Sequence, residues 1–171
     1  MAGAIDDSLR LAPLNLAKMI ALAVPLALLA GAWSFQVWGG LFPCEMCWWQ
    51  RYAHFAALGF ALLALLVGGR QAQVALVALA GLSIAVSALI AGYHAGVEYR
   101  WWVGFTACTS NVQFGHGDPL AAIMAAPSVR CDEVQWQMAG ISLAGFNFLT
   151  SGLAAAAILF LVGKVAKGRP A

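Results

Sequence analysis

Residues 19–44 read MIALAVPLALLAGAWSFQVWGGLFPC and hold no Lys, Arg, Asp or Glu. Working outward, the stretches 52–69, 71–97 and 134–163 are free of the same four residue types. A helix rises 1.5 Å per residue and needs about 20 mostly apolar residues to cross the hydrocarbon of a bilayer. All four stretches are long enough or nearly so. The whole chain agrees: 171 residues, 63% hydrophobic and 9% charged, where soluble domains carry roughly 25% charged residues. Lipid is therefore expected as its main solvent. The fold expected is an all-α membrane protein, an antiparallel bundle of four transmembrane helices over roughly 17–38, 48–67, 73–97 and 136–162. Together these make one integral membrane domain over 1–171.

Arg10 and Lys18 precede the first apolar run, and Ala30-Gly31-Ala32 has the small-x-small look of a signal-peptide cleavage site. The run continues through Trp33, Phe35, Val37 and Trp38, and cleavage would strand Cys44 on a short tail, so an uncleaved span is the better reading. With four spans, Arg10, Lys18, Arg70, Lys164, Lys167 and Arg169 share one side, against Arg51, Arg100 and Arg130 on the other. The excess of basic residues marks the cytoplasmic side. Both termini are then cytoplasmic, and the loops near 39–50 and 98–133 face outward. Pro25 is a candidate kink in the first span, since proline cannot donate the helical hydrogen bond. Within the long second loop, residues 119–127 carry a short apolar piece between two prolines, suited to a helix on the membrane surface or to a segment packed on the bundle. With a net charge of +2 and no basic-aromatic stripe, nucleic acid is not an expected partner.

All four cysteines fall in the outward loops. Cys44 and Cys47 form a C-x-x-C at the expected start of the second span, and Cys108 and Cys131 lie in the second loop. An outward compartment is oxidising, so these cysteines are expected to pair. Cys47 sits in the first helical turn, where unpaired N–H groups and the helix dipole favour a thiolate. Arg51 follows one turn later on the same face, His54 continues that stripe, and Gln50 stands near enough to offer an amide. Each has a plainer reading. Arg51 can snorkel to the interface, His54 and His94 can be hydrogen-bonded bundle residues or anchors, and Cys108–Cys131 can be a structural staple. Trp48, Trp49, Trp101 and Trp102 fit an interfacial aromatic belt. Four-cysteine zinc binding lacks compact ligand spacing, so no metal is expected. Haem c attachment needs a His where Trp48 stands. A haem b between His54 and His94 is geometrically open but leaves the cysteines without a role. A non-enzymatic protein with two inert disulfides also remains open.

The chain resembles the disulfide bond formation protein B (DsbB) family of membrane oxidoreductases. The likeness rests on Pro43-Cys44-Glu45-Met46-Cys47 followed by Arg51, on Tyr93-His94-Ala95-Gly96-Val97-Glu98, on Cys108, and on Cys131-Asp132-Glu133. It covers nearly the whole chain. The resemblance implies a bacterial inner-membrane enzyme with its cysteine loops in the periplasm. It implies that Cys44–Cys47 and Cys108–Cys131 are the resting disulfides, a pairing that spacing alone leaves open among three. A reduced DsbA-like thioredoxin-fold oxidase would attack the second pair at Cys108. Electrons would pass, by way of a Cys44–Cys131 bond, to Cys47 and on to a membrane quinone beside Arg51. Ubiquinone and menaquinone are both open. Gln50, His54 and His94 are carried as candidate quinone contacts. Such exchange needs three sulfurs in line, so the second loop is expected to move, with Thr109-Ser110-Asn111, Gly115 and Gly117 keeping it flexible. The vitamin K epoxide reductase family has related chemistry, but its C-x-x-C follows its loop cysteines, whereas here it comes first.

Overall fold

The structure, a computed structural model, describes residues 2–106, 108 and 129–167. The apolar piece at 119–127 and the stretch expected to keep the second loop flexible lie outside the described residues. Among the described residues there are four helices: α1 (Ala2–Val37), α2 (Glu45–Leu66), α3 (Arg70–Glu98) and α4 (Leu143–Lys167). Strands β1 (Gln137–Met138) and β2 (Ile141–Ser142) precede α4 as a two-stranded antiparallel hairpin. Over Ala12–Val37, Arg70–Glu98 and Leu143–Lys167 the helices are long and apolar enough to cross a membrane. In α2, Gln50, Arg51 and His54 crowd the first turns, and its apolar stretch begins only after them. The chain is an all-α, multi-pass membrane protein.

Helix starts and stops follow local chemistry. α1 runs through Pro25 without a break and stops before Gly39 and Gly40. A Cβ at Gly39 would lie 2.6 Å from the carbonyl oxygen of Phe35, and Gly40 takes φ +66°, a region that favours glycine. Cys44 is the N-cap of α2: its sulfur accepts the backbone N–H of Cys47, meeting one of the orphan donors of a helix start. The last helix corrects the sequence expectation, beginning at Leu143 rather than near 136. Ala139 and Gly140 both take positive φ, 52° and 77°, as a tight two-residue hairpin turn demands. The Tyr99 hydroxyl donates to Gly140 O and accepts from Ser142 N, pinning the hairpin to the end of α3. Ser142 then caps α4 by accepting from Gly145 N.

Contacts along the bundle fix the directions of the helices. At one end Lys18 Nζ donates to Gln73 Oε1, and Arg70 Nη2 to Val165 O. At the other, Arg51 reaches Gln36 and Ala32 near the end of α1, and Ser142 hydrogen-bonds Glu98. The start of α2 therefore lies beside the end of α1, and the start of α4 beside the end of α3. Between the two ends the waist is thin. Ala17 and Ala21 of α1, Ala57, Ala61 and Ala64 of α2, Ala80 of α3, and Ala154 and Ala155 of α4 are all buried there. Small residues let membrane helices approach closely, where dispersion replaces the missing hydrophobic drive. The bulky leucines turn outward, Leu66 at 82% and Leu153 at 74% exposure, as a lipid-facing surface requires.

Candidate functional site

The loops meet over the cysteine end of the bundle. Cys44, Cys108 and Cys131 are buried in one small apolar cluster with Met46 and Val97, and Cys47, Trp49, Tyr93 and Val129 pack against it. Cys108 and Cys131 form a disulfide with their Cα atoms 5.4 Å apart. Cys44 and Cys47 are not bonded to each other, and their sulfurs lie 3.0 Å apart. That differs from the Cys44–Cys47 disulfide that the resemblance implies. The Sγ atoms of Cys44 and Cys131 and a ring nitrogen of His94 all lie within 4.8 Å of one another. No spacing in the sequence places Cys131 there.

Cys44 and Cys47 sit ahead of the apolar part of α2 and share one proton. The Cys44 thiol donates to the Cys47 sulfur, and this bond, with the His94 ring adding to it, outweighs burial and holds Cys47 well below the usual thiol range. The same shared bond, then burial, pushes Cys44 far up. The pair is thus polarised into a thiolate at Cys47 and a thiol at Cys44, and the thiolate is the nucleophile and electron donor.

Arg51 is buried at 6% exposure, so it does not simply reach out to water. Its Nη1 donates to Gln36 Oε1 at 2.8 Å and its Nη2 to Ala32 O at 3.3 Å. The guanidinium carbon lies 5.1 Å from the Trp48 ring centre and 5.5 Å from that of Trp33, close enough for cation–π attraction. Among the described residues no carboxylate pairs with it. A buried cation held only by neutral acceptors and ring faces keeps its charge available to an electron-rich ligand. Trp48, expected only as belt, and Trp33 and Gln36, which sequence reasoning did not single out, make this clamp.

Gln50, His54 and His94 come together with residues from α3 and α4. Gln50 Nε2 donates to Met46 O at 3.1 Å and lies 3.0 Å from His94 Nδ1. Asn147 Nδ2 donates to Gln50 Oε1 at 2.7 Å. Asn147 Oδ1 accepts from Ser151 at 2.7 Å and lies 3.1 Å from His54 Nε2. Ser87 donates to Gln50 O and touches the same His54 nitrogen at 2.9 Å. His94 Nε2 stands 3.6 Å from Cys44 Sγ and 3.8 Å from Glu98 Oε1. The amide of Gln50 is therefore spent inside the protein. Asn147 and Ser87 gave no signal in sequence, since lone polar residues in apolar helices reveal no partner.

A cleft of about 330 Å³ opens against these groups, walled by Leu29, Phe35, Leu41, Phe42, Trp136 and Phe146 and reached by Cys47, Arg51, His54 and Asn147. Buried His54 Nδ1 has no hydrogen-bond partner among the described residues. Among the described residues, the apolar walls, an Arg51 guanidinium without a carboxylate partner and the unpartnered His54 Nδ1 suit a flat apolar ring that carries oxygens. A metal fits less well: of Cys44, His94 and Cys131, the three grouped closely enough to hold an ion, Cys131 has its sulfur bonded to Cys108. A haem between His54 and His94 is disfavoured because both rings belong to one hydrogen-bonded chain, with His54 Nε2 taken by Ser87 and Asn147.

The family model described as disulfide bond formation protein DsbB matches residues 15–161. A Verminephrobacter eiseniae (strain EF01-2) protein named disulfide bond formation protein B is 30% identical over 164 residues, covering 91% of this chain and 89% of that relative. One of the same name from Azoarcus sp. (strain BH72) is 34% identical over 153 residues, covering 80% and 84%. No solved structure matches. The chain belongs to the DsbB family, and its work is disulfide bond formation in a membrane.

Proposed function

We propose that this chain, working within that family, reoxidises a DsbA-like thioredoxin-fold oxidase and delivers the electron pair to ubiquinone or menaquinone. It would sit in the bacterial inner membrane as a four-span antiparallel bundle with the part of α2 after Cys47 as its second span, termini in the cytoplasm and cysteines in the periplasm. The observation that carries the reading is the approach of Cys131 Sγ to Cys44 Sγ, within 4.8 Å. It gives electrons a path between the loop disulfide and the C-x-x-C pair.

The cycle starts with both pairs oxidised. A thiolate of the reduced partner attacks Cys108 Sγ, the Cys108–Cys131 bond breaks, and Cys131 leaves as a thiolate. Cys131 attacks Cys44 Sγ and expels Cys47 as a thiolate. The partner's second thiol resolves the mixed disulfide, so the partner departs oxidised and Cys108 is freed. Cys108 then attacks Cys131 and releases Cys44. The result is a bonded loop pair beside a Cys44/Cys47 dithiol. A quinone in the cleft supplies the acceptor for two electrons and two protons as the dithiol returns to a disulfide. Arg51 would hold a quinone oxygen, with His54 at the cleft wall. Cys47 faces the cleft as the electron donor, while Gln50 and His94, which line the same cleft, act on the thiol pair.

The test is quinone reduction by the purified full chain fed with a reduced DsbA-type oxidase, for wild type beside Cys47→Ala and Cys108→Ala. Turnover that both substitutions abolish is expected. No turnover with quinones of either type would return the cysteines to structural staples.

A further inference from the structure

Two buried amides decide which ring nitrogen of His94 carries its proton. Gln50 Nε2 faces a backbone acceptor, Met46 O, at 3.1 Å, so the amide cannot turn its oxygen that way without setting two acceptors against each other. The second hydrogen of the same nitrogen points at His94 Nδ1, 3.0 Å away. Nδ1 must therefore accept, and in the neutral ring the proton sits on Nε2. That nitrogen faces Cys44 Sγ at 3.6 Å and Glu98 at 3.8 Å, and the ring also interacts with the Cys47 sulfur.

Asn147 locks the arrangement from α4. Its Nδ2 fills Gln50 Oε1 at 2.7 Å, and its own orientation is set by the Ser151 hydroxyl, which donates to Oδ1 at 2.7 Å. Gln50 is 6% and His94 2% exposed, so these bonds are largely shielded from water, and a half-satisfied network here would be costly.

We propose that Asn147 and Gln50 are positioning residues that fix His94 as the Nε2–H tautomer and so aim a hydrogen-bond donor at the Cys44 sulfur. On the proposed thiol–quinone function, on which this rests, Cys44 becomes anionic when Cys108 displaces it from Cys131. A fixed N–H at that sulfur stabilises the departing thiolate. With the other tautomer a lone pair would face it instead.

The test uses the detergent-solubilised full chain with ¹⁵N-labelled histidine, the His94 signals being assigned by their loss in His94→Gln. Nitrogen shifts separate a protonated from a bare ring nitrogen. Wild type should show Nδ1 bare and Nε2 protonated. Gln50→Glu keeps the shape but replaces the donor with an acceptor, so Nδ1 should become protonated. Its kcat for quinone reduction should fall roughly tenfold, the effect of about one hydrogen bond to a charged group, with KM for the reduced partner unchanged. Asn147→Leu should give a mixture of the two tautomers, and it decides the matter if Gln50→Glu does not fold. A bare Nδ1 retained in Gln50→Glu, or an unmixed wild-type pattern in Asn147→Leu, overturns the proposal. Wild-type spectra as expected without quinone reduction would sink the proposed function and leave the tautomer lock standing.

Discussion

The sulfur of Cys131 lies within 4.8 Å of the sulfur of Cys44, although one belongs to the long second loop and the other caps α2. A disulfide needs about 2.05 Å between sulfurs, so a side-chain rotation with a small loop shift closes the gap. In a Cys47→Ala/Cys108→Ala double variant these two are the only cysteines left, and mild oxidation should join them. Peptide mass analysis after digestion reads the result. Two separately alkylated cysteines would mean that the loops do not meet in the membrane.

The shared proton gives a pH signature. Because the folded pair holds Cys47 below the ordinary thiol range, its thiolate persists as pH falls through the values where a free cysteine is protonated, near about 8.5. Alkylation of the reduced wild-type pair at pH 6 should stay within a few-fold of its rate at pH 8 and occur at Cys47. Cys44→Ala removes the first cause of the shift, and the rate at pH 6 should then drop by about tenfold or more relative to pH 8. Equal pH profiles in the two proteins would show that the sulfur–sulfur hydrogen bond does not set the thiolate.

Arg51 lies near the faces of two indoles and donates to Gln36 and Ala32. Lysine keeps the charge but not the planar fork. Arg51→Lys should raise KM for quinone by roughly tenfold while leaving single-turnover exchange between the reduced partner and Cys108 unchanged. If both steps slow together, Arg51 holds the bundle end and not a ligand.

The thin waist predicts a contrast between two glycines. A Cβ at Gly81 would meet Ile158 Cγ2 at 2.8 Å, whereas one at Gly59 meets nothing within 4 Å. Gly81→Ala should cost about 1–3 kcal/mol, as overpacking does, and Gly59→Ala should be neutral or stabilising by up to about 1 kcal/mol. Unfolding in mixed micelles with rising SDS measures both, and equal midpoints would refute close packing of α3 on α4.

Much of this was legible in sequence because it is local. Charge-free runs mark apolar helices, Gly39-Gly40 marks the end of α1, and a C-x-x-C before an apolar run marks a capped helix start. The fourth helix was placed too early because residues 136–142 are uncharged, and absence of charge does not distinguish a hairpin from a helix. The site was legible as a set of cysteines with Arg51 nearby. Its geometry was not: Trp33 and Gln36 reach Arg51 from α1, and Asn147 reaches Gln50 from α4. Such contacts depend on how the helices are arranged about one another, which no window of residues encodes.

The alanine waist also bears on what the protein withholds from the membrane. Below Ser87 and Ser151, the buried residues among those described are Ala57, Ala61, Ala64, Val77, Ala80, Ile84, Ala154, Ala155, Ile158, Val162 and their like, down to the contact of Lys18 with Gln73. Among the described residues no buried polar side chain interrupts this stretch, so it holds no chain of buried hydroxyls along which a proton could hop. Among the described residues the buried ionisable side chains Arg51, His54 and His94 are all gathered at the cysteine end, so the acid–base chemistry of the bundle is concentrated there.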